Sequence, residues 1–124
     1  MLRILIADDE YLAIEAVKKI IKSNIEDVNI VATASSGKEA IIKVNELSPD
    51  IAIMDIQMPG IDGLEAIRQI KASNPNILFI VLTAYDLFDY AKESIGLGAV
   101  EYLLKPIKKD QLLIAIEKAS KIVK

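Results

Sequence analysis

An α/β fold, with an open parallel sheet covered by helices on both faces, is predicted by three observations. Short apolar runs alternate with amphipathic segments about five times along 124 residues. The runs are short and near-continuously apolar, as strands buried on both faces must be. The connections between them are brief and carry Gly, Pro, Asn and Asp, the residues that turn a chain.

Each element has its own signal. Leu2–Ala7 reads as the first strand. Tyr11–Ser23 follows as a helix, with Ala13, Ala16, Val17, Ile20 and Ile21 at helical spacing and Lys18, Lys19 and Lys22 elsewhere on its surface. Val28–Ala34 is the second strand. Ser36-Gly37-Lys38-Glu39 opens a helix whose apolar stripe is Ala40, Ile41, Val44 and Leu47, and Ser48-Pro49-Asp50 stops it. Ile51–Met54 is a third buried strand ending at Asp55. Pro59-Gly60 and Asp62-Gly63 mark a turn-rich loop before a helix carrying Leu64, Ile67 and Ile70. Ile77–Leu82 is the fourth strand, Asp86–Leu97 a helix broken by Gly96 and Gly98, and Val100–Leu104 the fifth strand. A last helix runs from Lys108 to about Val123. No repeat, low-complexity tract or linker interrupts the pattern, so one domain over residues 1–124 is expected.

Composition excludes several classes of function. At 52% hydrophobic the chain can bury a substantial core, yet no segment approaches the ~20 apolar residues of a membrane span. The apolar N-terminus is interrupted by acids too early for a signal peptide. With no cysteine there is no disulfide framework, and a cytoplasmic location is the simplest expectation. With no histidine, the usual zinc ligand and the usual general base are missing. Net charge is −3 and the basic residues are scattered, which makes this chain alone a poor nucleic-acid binder.

In sheets of this kind ligands bind beyond the carboxyl ends of the strands. Asp8, Asp9 and Glu10 follow the first strand, Asp55 the third, Thr83 the fourth and Lys105-Pro106 the fifth. Carboxylates ~4 Å apart repel by ~1 to 4 kcal/mol, so Asp8, Asp9 and Asp55 require a cation among them. Lys105 supplies one charge. Oxygen ligands without Cys or His suit Mg²⁺, with Mn²⁺ or Ca²⁺ able to substitute, rather than zinc. Taken singly, each residue has a plainer use: an Asp after a strand usually caps a helix, and a Lys-Pro step usually turns the chain. The combination at four strand ends is what points to a site.

That combination resembles the response-regulator receiver domain of two-component signalling over the whole chain. Ile6-Ala7-Asp8-Asp9-Glu10 is similar to the family's acidic pair. Met54-Asp55-Ile56-Gln57-Met58-Pro59-Gly60 with Asp62-Gly63 resembles its phosphoacceptor loop. Leu82-Thr83-Ala84 matches its switch hydroxyl, and Tyr102-Leu103-Leu104-Lys105-Pro106 its aromatic switch, lysine and proline. The resemblance implies a doubly wound, flavodoxin-like fold: five parallel strands in order 2-1-3-4-5 with five helices. It implies a receiver domain with no output domain in this chain.

The resemblance also implies roles. Asp55 accepts a phosphoryl group from a sensor histidine kinase. Asp9, Asp55 and the backbone carbonyl of Gln57 ligate Mg²⁺, and Asp8 assists through water. Thr83 and Lys105 contact the phosphoryl oxygens. Glu10 is expected to be only a neighbour. Gln57 and Tyr85 flank the phosphoryl group and tune its hydrolysis, with Tyr85 shielding it so that autodephosphorylation is slow. Thr83 and Tyr102 carry the signal to the face made by the helix from about Asp86, the fifth strand and the last helix. Pro106 is expected to follow a cis bond. The chemistry agrees, since a carboxylate can attack phosphorus and phosphoryl transfer needs positioning and charge neutralisation more than a base.

Ala84-Tyr85-Asp86-Leu87-Phe88-Asp89-Tyr90-Ala91-Lys92 resembles the segment found in receivers that precede AraC-type DNA-binding domains. It implies transcription regulation through an output domain, with DNA reached only through that domain. Phe88 is the candidate contact for a homodimer or output domain on that face. Such a chain is a switch and not an enzyme; it catalyses only its own phosphorylation and autodephosphorylation.

Three rivals remain at the level of sequence. One is a pseudo-receiver, an interaction module that is never phosphorylated, against which stands the presence of every phosphorylation residue. A haloacid-dehalogenase-like phosphatase carries Asp-x-Asp after its first strand, whereas Asp8-Asp9-Glu10-Tyr11 does not fit. A flavodoxin-like cofactor carrier needs a phosphate loop rich in Gly and hydroxyls where this chain has three acids.

Overall fold

The computed structural model describes residues 1–84, 92–93 and 95–123. The chain runs β1 (Leu2–Ala7), α1 (Tyr11–Asn24), β2 (Val28–Ala34), α2 (Gly37–Leu47), β3 (Ile51–Asp55), α3 (Gly63–Ser73), β4 (Leu78–Thr83), β5 (Ala99–Leu104) and α4 (Lys109–Ser120). The five strands form one sheet in the order β2-β1-β3-β4-β5, and every neighbouring pair is parallel. This is the predicted doubly wound α/β fold. Of the further helix expected over Asp86–Leu97, residues 92, 93, 95 and 96 are helical; Asp86–Ala91 and Ser94 lie outside the described residues.

Strand pleating divides the core into two layers. Leu5 and Ala7 of β1, Ala52 and Met54 of β3, and Phe79 and Val81 of β4 face α2 and α3, where they meet Val44, Leu64, Ile67 and Ile70. Ile4, Ile6, Ile51, Ile53, Ile80 and Leu82 point to the other face, against Val17 and Ile21 of α1 and Leu112 and Ile116 of α4. All five residues of β3 are buried, which places its end, Asp55, in the middle of the sheet.

Local chemistry sets the helix ends. Ser36 caps α2 by accepting from the Glu39 N–H at 3.1 Å, and the Glu39 carboxylate accepts from the Ser35 N–H at 2.7 Å. Asp62 caps α3 by accepting from the Glu65 N–H at 2.9 Å. The stripe expected on α1 is rotated in the fold. Ile14, Val17 and Ile21 are buried, Ala16 is exposed and Ala13 and Ile20 are half-buried. Spacing of three and then four residues brings the branched aliphatic side chains to the sheet and leaves the small Ala16 outside. The last helix ends at Ser120, three residues short of the expectation, where the Ile122 and Val123 N–H groups both turn back to the Ala119 carbonyl. Among the described residues no helix is long and apolar enough to cross a membrane.

Candidate functional site

The carboxyl ends of β1, β3, β4 and β5 converge on one cluster. Asp8 leaves β1 with its N–H bonded to the Ala34 carbonyl of β2 at 2.9 Å, so the sheet itself aims it. Its Oδ1 accepts the Glu10 N–H at 2.9 Å. Asp55 Oδ1 accepts the Gln57 N–H at 2.9 Å in the same local pattern. Thr83 ends β4 fully buried, and its carbonyl accepts the Lys105 N–H at 2.8 Å. That bond sets the start of the Lys105 side chain. The Lys105–Pro106 peptide bond is cis.

The start of α3 closes the site from the side. Gly63 donates its N–H to the Ile56 carbonyl at 2.6 Å, and a Cβ there would meet the Asp55 carbonyl and come within 2.6 Å of Ile56 Cα. Only glycine permits so close an approach of helix to strand end.

Lys105 unites the acids. Its Nζ donates to Asp8 Oδ2 at 2.8 Å, Asp55 Oδ2 at 2.8 Å and Glu10 Oε1 at 3.2 Å. Asp8 and Asp55 are 3% and 5% exposed, and the Lys105 side chain 14%. Burial pushes the Asp55 carboxyl up. The Lys105 hydrogen bond, the Gln57 N–H and the Lys105 charge pull it down, Asp8 adds to the upward push, and the net shift is upward from 3.8. For Lys105 burial favours the neutral amine, but hydrogen bonds to Asp55 and Asp8 and their negative charge outweigh it. The ammonium is held well above its ordinary range.

Asp8, Asp9, Glu10 and Asp55 each place a carboxylate oxygen within 4.8 Å of the others, which makes this cluster able to hold a metal ion. The donors are all hard oxygens, the set that Mg²⁺ takes, and Asp9 and Glu10 are exposed to water. The acids and Lys105 named from the sequence are therefore brought together. Gln57 is exposed beside Asp55, and Tyr102 is half-buried against the α2–α3 side of the core. Tyr85, Leu87, Phe88 and Tyr90 lie outside the described residues. Glu10, expected to be only a neighbour, is bonded to Lys105 from 95 residues away. Its one sequence signal is its place as third acid in the run after β1.

Comparison with known proteins bears on the family and the fold. A family model described as the response regulator receiver domain matches residues 4–117. The chain is 40% identical over 121 residues to the chemotaxis protein CheY of Listeria monocytogenes, covering 98% of this chain and 100% of that protein. It is 38% identical over 117 residues to the transcriptional regulatory protein YesN of Bacillus subtilis, covering 94% of this chain but only 32% of that longer protein. Among solved structures, the receiver domain of a NarL response regulator from Mycobacterium tuberculosis superposes with a TM-score of 0.89 at 25% identity, covering 97% of this chain and 96% of that one. CheY of Borrelia burgdorferi, solved with CheX, BeF₃ and Mg²⁺, gives 0.89 at 30% identity, covering 99% and 90%.

Proposed function

The chain belongs to the response regulator receiver domain family, and on that premise we propose that it is a phosphorylation switch whose acceptor is Asp55. One observation carries the proposal: a buried carboxylate at the end of the central strand, 2.8 Å from a buried ammonium and beside further acids able to hold a metal. The donor is a phosphohistidine on a sensor kinase. An Asp55 oxygen forms its bond to phosphorus as the phosphorus–nitrogen bond to the imidazole breaks, and the electron pair stays on the nitrogen, which takes up a proton from water. Asp9, Asp55 and the Gln57 carbonyl would hold Mg²⁺, with Asp8 assisting through water. Bound there, it would neutralise charge on the transferring oxygens. Lys105 stabilises the same oxygens, and burial excludes competing water.

The Thr83 hydroxyl then takes up a phosphoryl oxygen, and the half-buried Tyr102 packs into the space this leaves. A full switch from 1:99 to 99:1 takes ~5.5 kcal/mol, more than one hydroxyl and one lysine contact supply. Either some active form exists beforehand or dimerisation contributes. The face that changes is β5, α4 and the segment before β5, and it carries the exposed Leu104 and Ile114. A homodimer or a DNA-binding output domain docks there, as the transcriptional relatives suggest. Gln57 and Tyr85 tune autodephosphorylation, with Tyr85 slowing it by shielding the acyl phosphate, and a half-life of only seconds would overturn that part. The setting is the cytoplasm.

The test is incubation with acetyl phosphate and Mg²⁺ followed by intact mass. Wild type gains one phosphoryl group, while the Asp55→Asn variant and a chelator-treated sample gain none. No gain on wild type would favour an interaction module that is never phosphorylated, and turnover of phosphate esters would favour a phosphatase.

A further inference from the structure

Glu10 occupies the N-cap position of α1, where a side chain ordinarily accepts a helix N–H. Its carboxylate makes no such bond. It is turned instead toward Lys105, accepting from Nζ at 3.2 Å. The Glu10 N–H is tied to Asp8 Oδ1 at 2.9 Å, so the residue is fixed to the cluster through its backbone as well. An ammonium has three N–H donors. Here Asp8, Asp55 and Glu10 accept from all three. In this state Lys105 has no proton left for a phosphoryl oxygen. Of the three partners, Glu10 is the longest contact and by far the most exposed, at 69% of its side chain. It is the one an incoming phosphoryl group can displace at least cost.

We propose that Glu10 is a positioning residue for phosphoryl transfer: it occupies the third N–H of Lys105 until a phosphoryl oxygen takes its place. It thereby restrains the lysine in the resting protein and slows phosphorylation. The inference rests on Asp55 being the acceptor. No bond to Glu10 forms or breaks covalently, and its carboxylate is released to water when Lys105 turns.

Two substitutions separate this role from simple repulsion of an anionic donor. Glu10→Gln removes the charge and weakens the contact. Glu10→Asp keeps the charge but withdraws the carboxylate by one methylene, about 1.5 Å, out of hydrogen-bond reach. Phosphoryl gain from acetyl phosphate is followed by intact mass at saturating Mg²⁺, so that altered metal affinity does not enter the rate. Both variants should be phosphorylated roughly fivefold faster than wild type, the equivalent of about 1 kcal/mol in the barrier. In the metal-free protein, NMR of the Lys105 ammonium reads the contact directly, and its protons should exchange with water faster in both variants. A fast Glu10→Gln with Glu10→Asp at the wild-type rate would overturn the proposal in favour of repulsion. So would two variants indistinguishable from wild type in rate and exchange. If wild type gains no phosphoryl group, the acceptor reading falls, and this one with it; the exchange measurement then still shows whether Glu10 holds Lys105.

Discussion

Replacing Lys105 by methionine keeps most of the apolar stem and removes the charge at the centre of the cluster. Asp8 and Asp55, 3% and 5% exposed, would then each keep one backbone N–H as hydrogen-bond donor and lose the ammonium 2.8 Å away. Leaving a buried charge uncompensated costs about 3 to 5 kcal/mol, and the exposed rim formed by Asp9 and Glu10 favours the lower end. Lys105→Met should therefore be less stable by about 3 kcal/mol at pH 7. For a chain of this length that is roughly 12 °C in Tm. The pH dependence has a definite sign. Asp55 is already held above its ordinary 3.8 by burial, and losing Lys105 raises it further. A raised carboxylate costs the fold stability once pH exceeds its folded value, and the cost fades as pH falls toward the unfolded value. The gap between variant and wild type should shrink strongly between pH 7 and pH 4. Added Mg²⁺ should recover part of it, because a cation again sits among the acids. Urea denaturation followed by circular dichroism at both pH values, with and without Mg²⁺, measures all three effects. A variant within about 0.5 kcal/mol of wild type at pH 7 would show that Lys105 does not compensate the buried acids, as would a gap that does not narrow in acid.

The same titration predicts that wild type loses stability relative to Asp55→Asn as pH rises above 3.8 through the raised folded value of Asp55, then levels off; parallel denaturation curves across that range would contradict it. Gly63→Ala should cost about 1 to 3 kcal/mol in thermal melts, because its Cβ would press on Ile56 Cα at 2.6 Å and on the Asp55 carbonyl. It should also slow phosphorylation by displacing the strand end. Phe79→Ala, at a fully buried position in the α2–α3 layer, should cost about 3 to 5 kcal/mol in urea while leaving the rate of phosphorylation of the folded protein unchanged.

Much of the architecture was legible because its signals are local. The apolar run Ile51–Met54 marks a buried strand, and in the fold every residue of β3 is buried. Ser36 with Glu39 marked the start of α2, and the cap bond is present. Asp8, Asp55 and Lys105 could be named together because strand ends in a parallel sheet share one side, so chain position alone brings them near. What the sequence did not reveal depends on distances between elements. Whether Ile14 or Ala16 faces the sheet turns on a rotation of α1 that residue spacing leaves open. The partner of Glu10 could not be read either, since Lys105 reaches it from 95 residues away and an exposed acid beside two others has no pattern of its own. The close approach at Gly63 is of the same kind: the sequence marked a turn, and only the packing of α3 against the end of β3 shows why no side chain fits.

The cluster is expected to direct a phosphoryl group to one carboxylate. Treating wild type with acetyl phosphate and Mg²⁺, reducing with borohydride and sequencing the peptides by mass identifies that carboxylate. Reduction converts an acyl phosphate to an alcohol, so a phosphorylated aspartate is recovered as homoserine. Homoserine is expected at position 55 and aspartate at positions 8 and 9, with no homoserine when Mg²⁺ is chelated. Homoserine at 8 or 9, or none anywhere in the Mg²⁺-treated protein, would contradict it.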